Sequence, residues 1–298
     1  MNNRVLNNLL FYKTNPIIIY CFEPSRSADH LFNFYGKRDT PLYLTCDAYG
    51  AYQTLEIHFP DYVIVCGCMD HTRRRFVSAF QISGKDLKEE ELRELPEAIV
   101  LELMGELYAS DGALNDMTAD ERYIKRQDRP KEALTKVFDY IETLDENDPL
   151  FNDKMKDAIK YAKNQKIRLS RFLEDGNIPL TNAATERNVK IISTHRKNSL
   201  FSYSVDGAIA VGAITSLIET AQANGASSYY YLKYLLEQMP KYVIYGHDCN
   251  LDDMLPWSEK YRAYEMDQRM NIFNAGAPPG NKKPDTPCVK SSGASGVA

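Results

Sequence analysis

The stretch "DYVIVCGCMDHTRRRF", Asp61 to Phe76, changes character halfway along. Its first half, through Cys68 and Met69, is a short apolar run rich in β-branched residues, the pattern of a buried strand. The second half carries His71, Arg73, Arg74 and Arg75 into a helix. A strand that hands over directly to a helix is the unit from which an α/β fold is built. Two similar runs lie upstream. "PIIIYCFE" (Pro16 to Glu23) is one, and "PLYLTCDAYGAY" (Pro41 to Tyr52) is the other, ending at Asp47 and a turn with Gly50. Between them "SRSADH" offers helix caps before the apolar Leu31, Phe32 and Phe34.

Downstream the period changes. From about Asp86 to Asp175 apolar residues recur every three or four positions, as in Leu92, Leu95, Ile99, Leu103 and Leu107, which predicts helices. Asp111 and Gly112 close the first. Thr118 and Glu121 form a capping box for the next. "ALTKVFDYIETL" continues the pattern after Pro130, and a third helix is expected to stop at Gly176. After Glu186, "DGAIAVGAITSLIETAQANG" and "SSYYYLKYLLEQMP" read as helices stopped at Gly225 and Pro240. The Gly-, Pro- and Ser-rich end from "NAGAPPG" onward reads as a disordered tail.

Composition sets the limits. A chain of 298 residues allows one large domain or two ordinary ones. A net charge of −5 means that any polyanion site is a local patch. No apolar run approaches the roughly 18 residues of a membrane span. The first twenty residues lack the cleavage site of a signal peptide. Cysteines at 21, 46, 66, 68, 249 and 288 follow no disulfide framework and read as reduced thiols. Cys66, Cys68 and His71 without a second ligand pair are a weak zinc pattern.

Each candidate site residue has two readings. Asp47, at a strand end, is a turn former or a carboxylate awaiting a cation. The arginines after His71 are a solvated helix face or a phosphate grip. Glu186 lies early in a helix that Asn182 opens, where the helix dipole alone could explain an acid. It stands beside a basic run with Arg187, Lys190, His195, Arg196 and Lys197, which also suits a metal carboxylate facing phosphate. The "YYYLKY" stripe is helix core or a stacking platform for bases.

"CDAYGAY", "CGCMDHTRRRF", "FLEDGNIPLTNAATER", "HRKNSLF", "GAIAVGAITSLIETAQANGASSYYYLKYLLEQMP" and "LDDMLPW" occur in one order from about residue 15 to 257. Together they resemble the transposases of the bacterial insertion sequence 66 family, of the DDE type. The resemblance implies an α/β, ribonuclease H-like mixed sheet interrupted by a large helical insertion, with C-terminal helices. The expected division is a first part of the core over 1–80, the insertion over 81–176, a second part bearing the catalytic glutamate over 177–240, and a C-terminal segment and tail over 241–298. It also implies DNA strand cleavage and transfer by metal-dependent phosphoryl transfer. Asp47 and Glu186 fall on the family's motif acids and would be catalytic and hold Mg²⁺ or Mn²⁺. His71, Arg73, Arg74, Arg187, Arg196, Lys197 and Asn198 fall on its basic motifs and would face DNA. Element ends and target DNA are the expected partners, in the cytoplasm at the nucleoid, with no membrane and with homo-oligomer formation open.

The departures shape the expectation further. The family's first catalytic Asp lies on a strand upstream of "NPIIIY", and residues 1–15 contain no acid. The first strand is therefore expected to be missing, and the chain to be an N-terminally truncated copy of weak or no activity. The alternative is a non-catalytic DNA-binding or oligomerising remnant.

Overall fold

In a computed structural model the described residues are 4–12, 15–23, 29–35, 41–187, 204–245 and 250–274. Among them, four strands and twelve α-helices form an α/β protein in which helices predominate. The strands are β1 (Arg4–Tyr12), β2 (Asn15–Glu23), β3 (Leu42–Cys46) and β4 (Val63–Gly67), paired as β1–β2 and β3–β4. A strand does precede Pro16, but it carries no acid and so is not the acid-bearing strand expected to be missing. This strand, β1, pairs with β2. Its apolar run "RVLNNLLFY" is broken by Asn7 and Asn8, so it shows no strand period, yet Val, Leu, Phe and Tyr suit a pleated surface. The expected tail falls in 275–298, outside the described residues.

The contacts divide the chain into two units. The first comprises residues 1–10 and 18–213, the second residues 11–17 and 214–298. In the first, α1 (Asp29–Tyr35) and α2 (Gly50–His58) accompany the β3–β4 pair. β3 and β4 run parallel, with Leu44 opposite Val65 and Cys46 opposite Gly67. The crossover through α2 is a β-α-β unit, the connection that parallel neighbours require. Leu31, Tyr35, Cys46, Leu55, Val63 and Val65 form the apolar cluster beneath it.

β4 leads through Cys68 into α3 (Met69–Ser83). Five more helices follow: α4 (Glu89–Glu94), α5 (Pro96–Gly112), α6 (Ala119–Arg126), α7 (Arg129–Thr143) and α8 (Asp153–Ser170). The long charged stretch expected as one helix breaks at Leu95. That residue is extended (ψ 135°) and Pro96 opens the next helix, because a residue before proline is driven out of the α region. The Thr118–Glu121 capping box forms as read, with Glu121 N–H donating to the Thr118 hydroxyl and Thr118 N–H to the Glu121 carboxylate. α8 ends at Ser170, before a short 3-10 turn over Arg171–Leu173, and not at Gly176. Gly176 has another duty: a Cβ there would meet the Ala119 carbonyl oxygen at 1.8 Å. Met69, Phe76, Val100, Met104, Leu107, Val137, Ile141, Met155 and Ile159 form one core shared by α3, α5, α7 and α8. Each such side chain contributes about 1.5–3 kcal/mol of transfer free energy.

Helix α9 is described over residues 183–187. α10 (Val205–Ala223) ends before Gly225, whose φ of 69° suits a residue without a Cβ. In the second unit, α11 (Ser228–Tyr245) and α12 (Glu259–Asn274) pack through Tyr231, Tyr234, Met254 and Tyr261. Tyr231 and Tyr234 of the tyrosine stripe thus supply core, while Tyr229 is exposed. Pro240 lies inside α11 and does not end it. Proline removes a hydrogen bond to the carbonyl four residues back. That residue, Leu236, is 74% exposed, so water can serve the carbonyl.

Candidate active centre around Glu186

The centre is assembled by the start of α3 and the start of α9, which are zipped together. The Met69 N–H donates to the Leu180 carbonyl at 3.1 Å. The Cys68 thiol donates to Asn182 Oδ1 at 3.0 Å, and the Asn182 N–H returns a bond to Cys68 Sγ at 3.3 Å. Asn182 in turn accepts from the Glu186 N–H at 3.0 Å. A residue read only as a helix opener is therefore also the hook that sets α9 against α3. Burial pushes the Cys66 thiol up to about 12 and raises Cys68 as well, so both stay protonated. Cys46, Cys66 and Cys68 are free thiols.

That zipper brings Glu186 onto the basic face of α3. Arg74 Nη2 donates to both carboxylate oxygens, at 2.9 and 3.1 Å. His71 Nε2 lies 3.3 Å from Glu186 Oε1 and 3.1 Å from Arg74 Nη2. The acid and the two basic residues form one cluster, although Arg74 and Glu186 stand 112 positions apart in the chain. His71 is held below its ordinary value by burial and by the Arg74 guanidinium, while Glu186, Asp47 and Asp70 pull the other way. Its Nδ1 is buried with no hydrogen-bond partner among the described residues.

Asp47 follows the carboxyl end of β3, and its Oδ1 accepts the Tyr49 N–H at 3.2 Å, a turn-forming bond. Arg73 is exposed on α3 and Arg187 on α9. Arg196, Lys197 and Asn198 lie outside the described residues. Two further side chains belong to this neighbourhood and were not read from the sequence. Asp70 accepts a 2.5 Å hydrogen bond from the Tyr108 hydroxyl of α5. That bond and the Asp70 charge raise Tyr108 beyond the already large effect of its burial. Only the apolar period around Tyr108 was visible, and a hydroxyl on that face carries no signal of its partner.

The donor chemistry of Asp47 and Glu186 suits a hard divalent cation, since both offer carboxylate oxygens. Here the Arg74 guanidinium supplies the positive charge at Glu186 instead. Among the described residues no three His, Cys, Asp or Glu side chains gather as a metal-binding group. No helix among them is long and apolar enough to cross a membrane.

Known proteins with similar sequences identify the family. The chain is 28% identical over 256 residues to uncharacterized protein y4jD of Sinorhizobium fredii, an alignment covering 82% of this chain and 46% of that protein. It is 26% identical over 254 residues to uncharacterized protein y4qI of the same organism, covering 82% and 44%. The chain thus spans less than half the length of these curated relatives. No solved structure matches. The "IS66 C-terminal element" matches residues 216–257. The description "Transposase IS66 family" matches residues 7–210, and with most of its length so covered the chain belongs to that family of DDE transposases, whose chemistry suggests a divalent metal.

Proposed function

We propose that this chain carries the catalytic centre of a DNA transposase that cuts and joins DNA strands by phosphoryl transfer. The observation that supports the reading most is the Glu186–Arg74–His71 cluster, in which the family's motif acid meets its basic motif. In this reading β3, α2 and β4 belong to a ribonuclease H-like core formed by 1–80 and 177–240. Residues 81–176 are an insertion, and 241–298 are a C-terminal segment. Asp47 sits beyond the carboxyl end of a parallel strand, where open α/β sheets place their ligands.

Asp47 and Glu186 would hold Mg²⁺ or Mn²⁺. When bound, such an ion activates the attacking oxygen and stabilises the leaving oxygen of an in-line displacement. The chain's own residues position the DNA. Arg74, exchanging Glu186 for a phosphate, keeps a bidentate partner. His71 is neutral at neutral pH, because burial and Arg74 disfavour its charged form. It therefore offers a hydrogen bond rather than charge. Arg73, Arg187, Arg196, Lys197 and Asn198 extend the contact along the backbone, neutralising phosphates without reading sequence. The setting is the cytoplasmic nucleoid.

The test is strand transfer on DNA bearing the element's ends, run alongside Mn²⁺ titration. The chain is expected to show weak transfer at most, and Asp47→Asn and Glu186→Gln to reduce that transfer and Mn²⁺ binding to background. Transfer that survives either substitution would remove that residue from the centre. A second reading, a DNA-binding or oligomerising remnant, is favoured by the ion pair that occupies Glu186. It predicts DNA binding unchanged by either substitution and no transfer by the parent chain.

A further inference from the structure

A groove of about 260 Å³ adjoins the cluster, lined by His71, Arg74, Arg75 and Ser78 of α3 and by Lys154 and Asp157 of α8. It lies just below the roughly 300–1,000 Å³ of small-molecule sites, and no apolar residue type stands among its lining side chains. Its lining is charged. With Arg74 neutralised by Glu186, Arg75 and Lys154 face one acid, Asp157. Arg75 is poised for a ligand: its guanidinium carbon stands 4.1 Å from the centre of the Tyr161 ring. A stacked guanidinium keeps its in-plane N–H donors free at the edge. Lys154 stands in the first turn of α8, behind the Asn152 cap, where the helix dipole disfavours a cation. Helix stability therefore does not account for it. Both side chains are exposed.

We propose that this groove is a phosphodiester subsite, in which Arg75 of α3 and Lys154 of α8 hold a DNA backbone phosphate beside the Glu186 centre. The helices between Glu89 and Ser170 then do more than decorate the core, since one of them supplies a DNA contact. Ser78 lies at the groove with its hydroxyl donating to the Arg74 carbonyl at 2.9 Å, and rotation of that hydroxyl would offer the phosphate a further donor. Asp157 limits the affinity and favours exchange along the strand. The inference rests on the DNA-directed reading of the centre.

The experiment is anisotropy of labelled duplex DNA of arbitrary sequence over a salt series, using the full chain. Arg75→Ala and Lys154→Ala should each weaken binding and lower the slope of log K against log salt by about 0.9. Lys154→Glu should weaken it further, and Asp157→Asn should strengthen it. Lys131→Ala, an exposed lysine outside the lining, should change neither affinity nor slope. Circular dichroism shows whether each variant is folded. Unchanged slopes in a parent chain that binds DNA would overturn the subsite and leave the centre's reading intact. A parent chain with no salt-dependent DNA binding would overturn both. Displacement of DNA by inorganic phosphate at matched ionic strength would overturn the assignment in favour of a free-anion site.

Discussion

Glu186 is balanced between two cations, one present and one implied by the family. Its pair with Arg74 is half exposed, and exposed pairs contribute about 0.2–1 kcal/mol. Arg74→Ala should therefore raise Mn²⁺ affinity by no more than about fivefold, while Glu186→Gln abolishes the gain; calorimetric titration of both variants checks this. His71 supplies a second prediction. Its folded value lies below that of the unfolded chain, so unfolding takes up a proton once the pH falls below about 6.5. The stability present above that pH is lost as the pH drops through the folded value. His71→Asn should flatten this decline in urea unfolding between neutral and mildly acid pH. At this scale the sequence showed the residues but not their meeting. Glu186 and Arg74 were joined only through motif resemblance, because nothing local links positions so far apart. Lys154 and Tyr108 carried no mark at all, being one lysine and one tyrosine among many.

Elements were easier to read than the joints between them. Caps and prolines act within a few residues, so the Thr118 box and the helices around it were legible. Arg126 was not, since a cation near the end of a charged helix reads as surface. It is 2% exposed. It donates to both Asp111 oxygens, at 2.7 and 3.2 Å. It also donates to the carbonyls of Phe172, Asp175 and Ile178, at 2.7, 3.0 and 2.8 Å. Arg126 thus shapes the turn that runs on to Leu180 and Asn182, and hence the approach of α9. Removing one member of a buried pair costs about 3–5 kcal/mol, which is the expected loss for Arg126→Ala in urea denaturation. The double change Arg126→Met with Asp111→Leu should recover only part, because three carbonyls still lack their donor.

The molecule as a whole offers two cores to perturb separately. Trp257, the single tryptophan, belongs to the second unit. Met104, fully buried, belongs to the first and Tyr261, fully buried, to the second. Large-to-small changes at such sites cost about 2–5 kcal/mol. Tyr261→Ala should lower the denaturant midpoint seen by Trp257 fluorescence. Met104→Ala should lower the midpoint seen by far-ultraviolet circular dichroism and leave the fluorescence midpoint in place. Coincident shifts would mean that the units unfold as one. The α/β class and the helical stretch were legible because hydrophobic period is a local property. The division into units was not, since it depends on which distant faces meet.

The sulfur at the α3–α9 joint has a consequence for chemistry in the cell. Cys68 holds its proton, and only the thiolate attacks oxidants or alkylating agents. The burial of the joint that seats Glu186 is therefore also a shield against peroxide and electrophiles. The centre becomes vulnerable only in the moments when the joint opens, so any covalent mark found on Cys68 would record how often Glu186 had come loose.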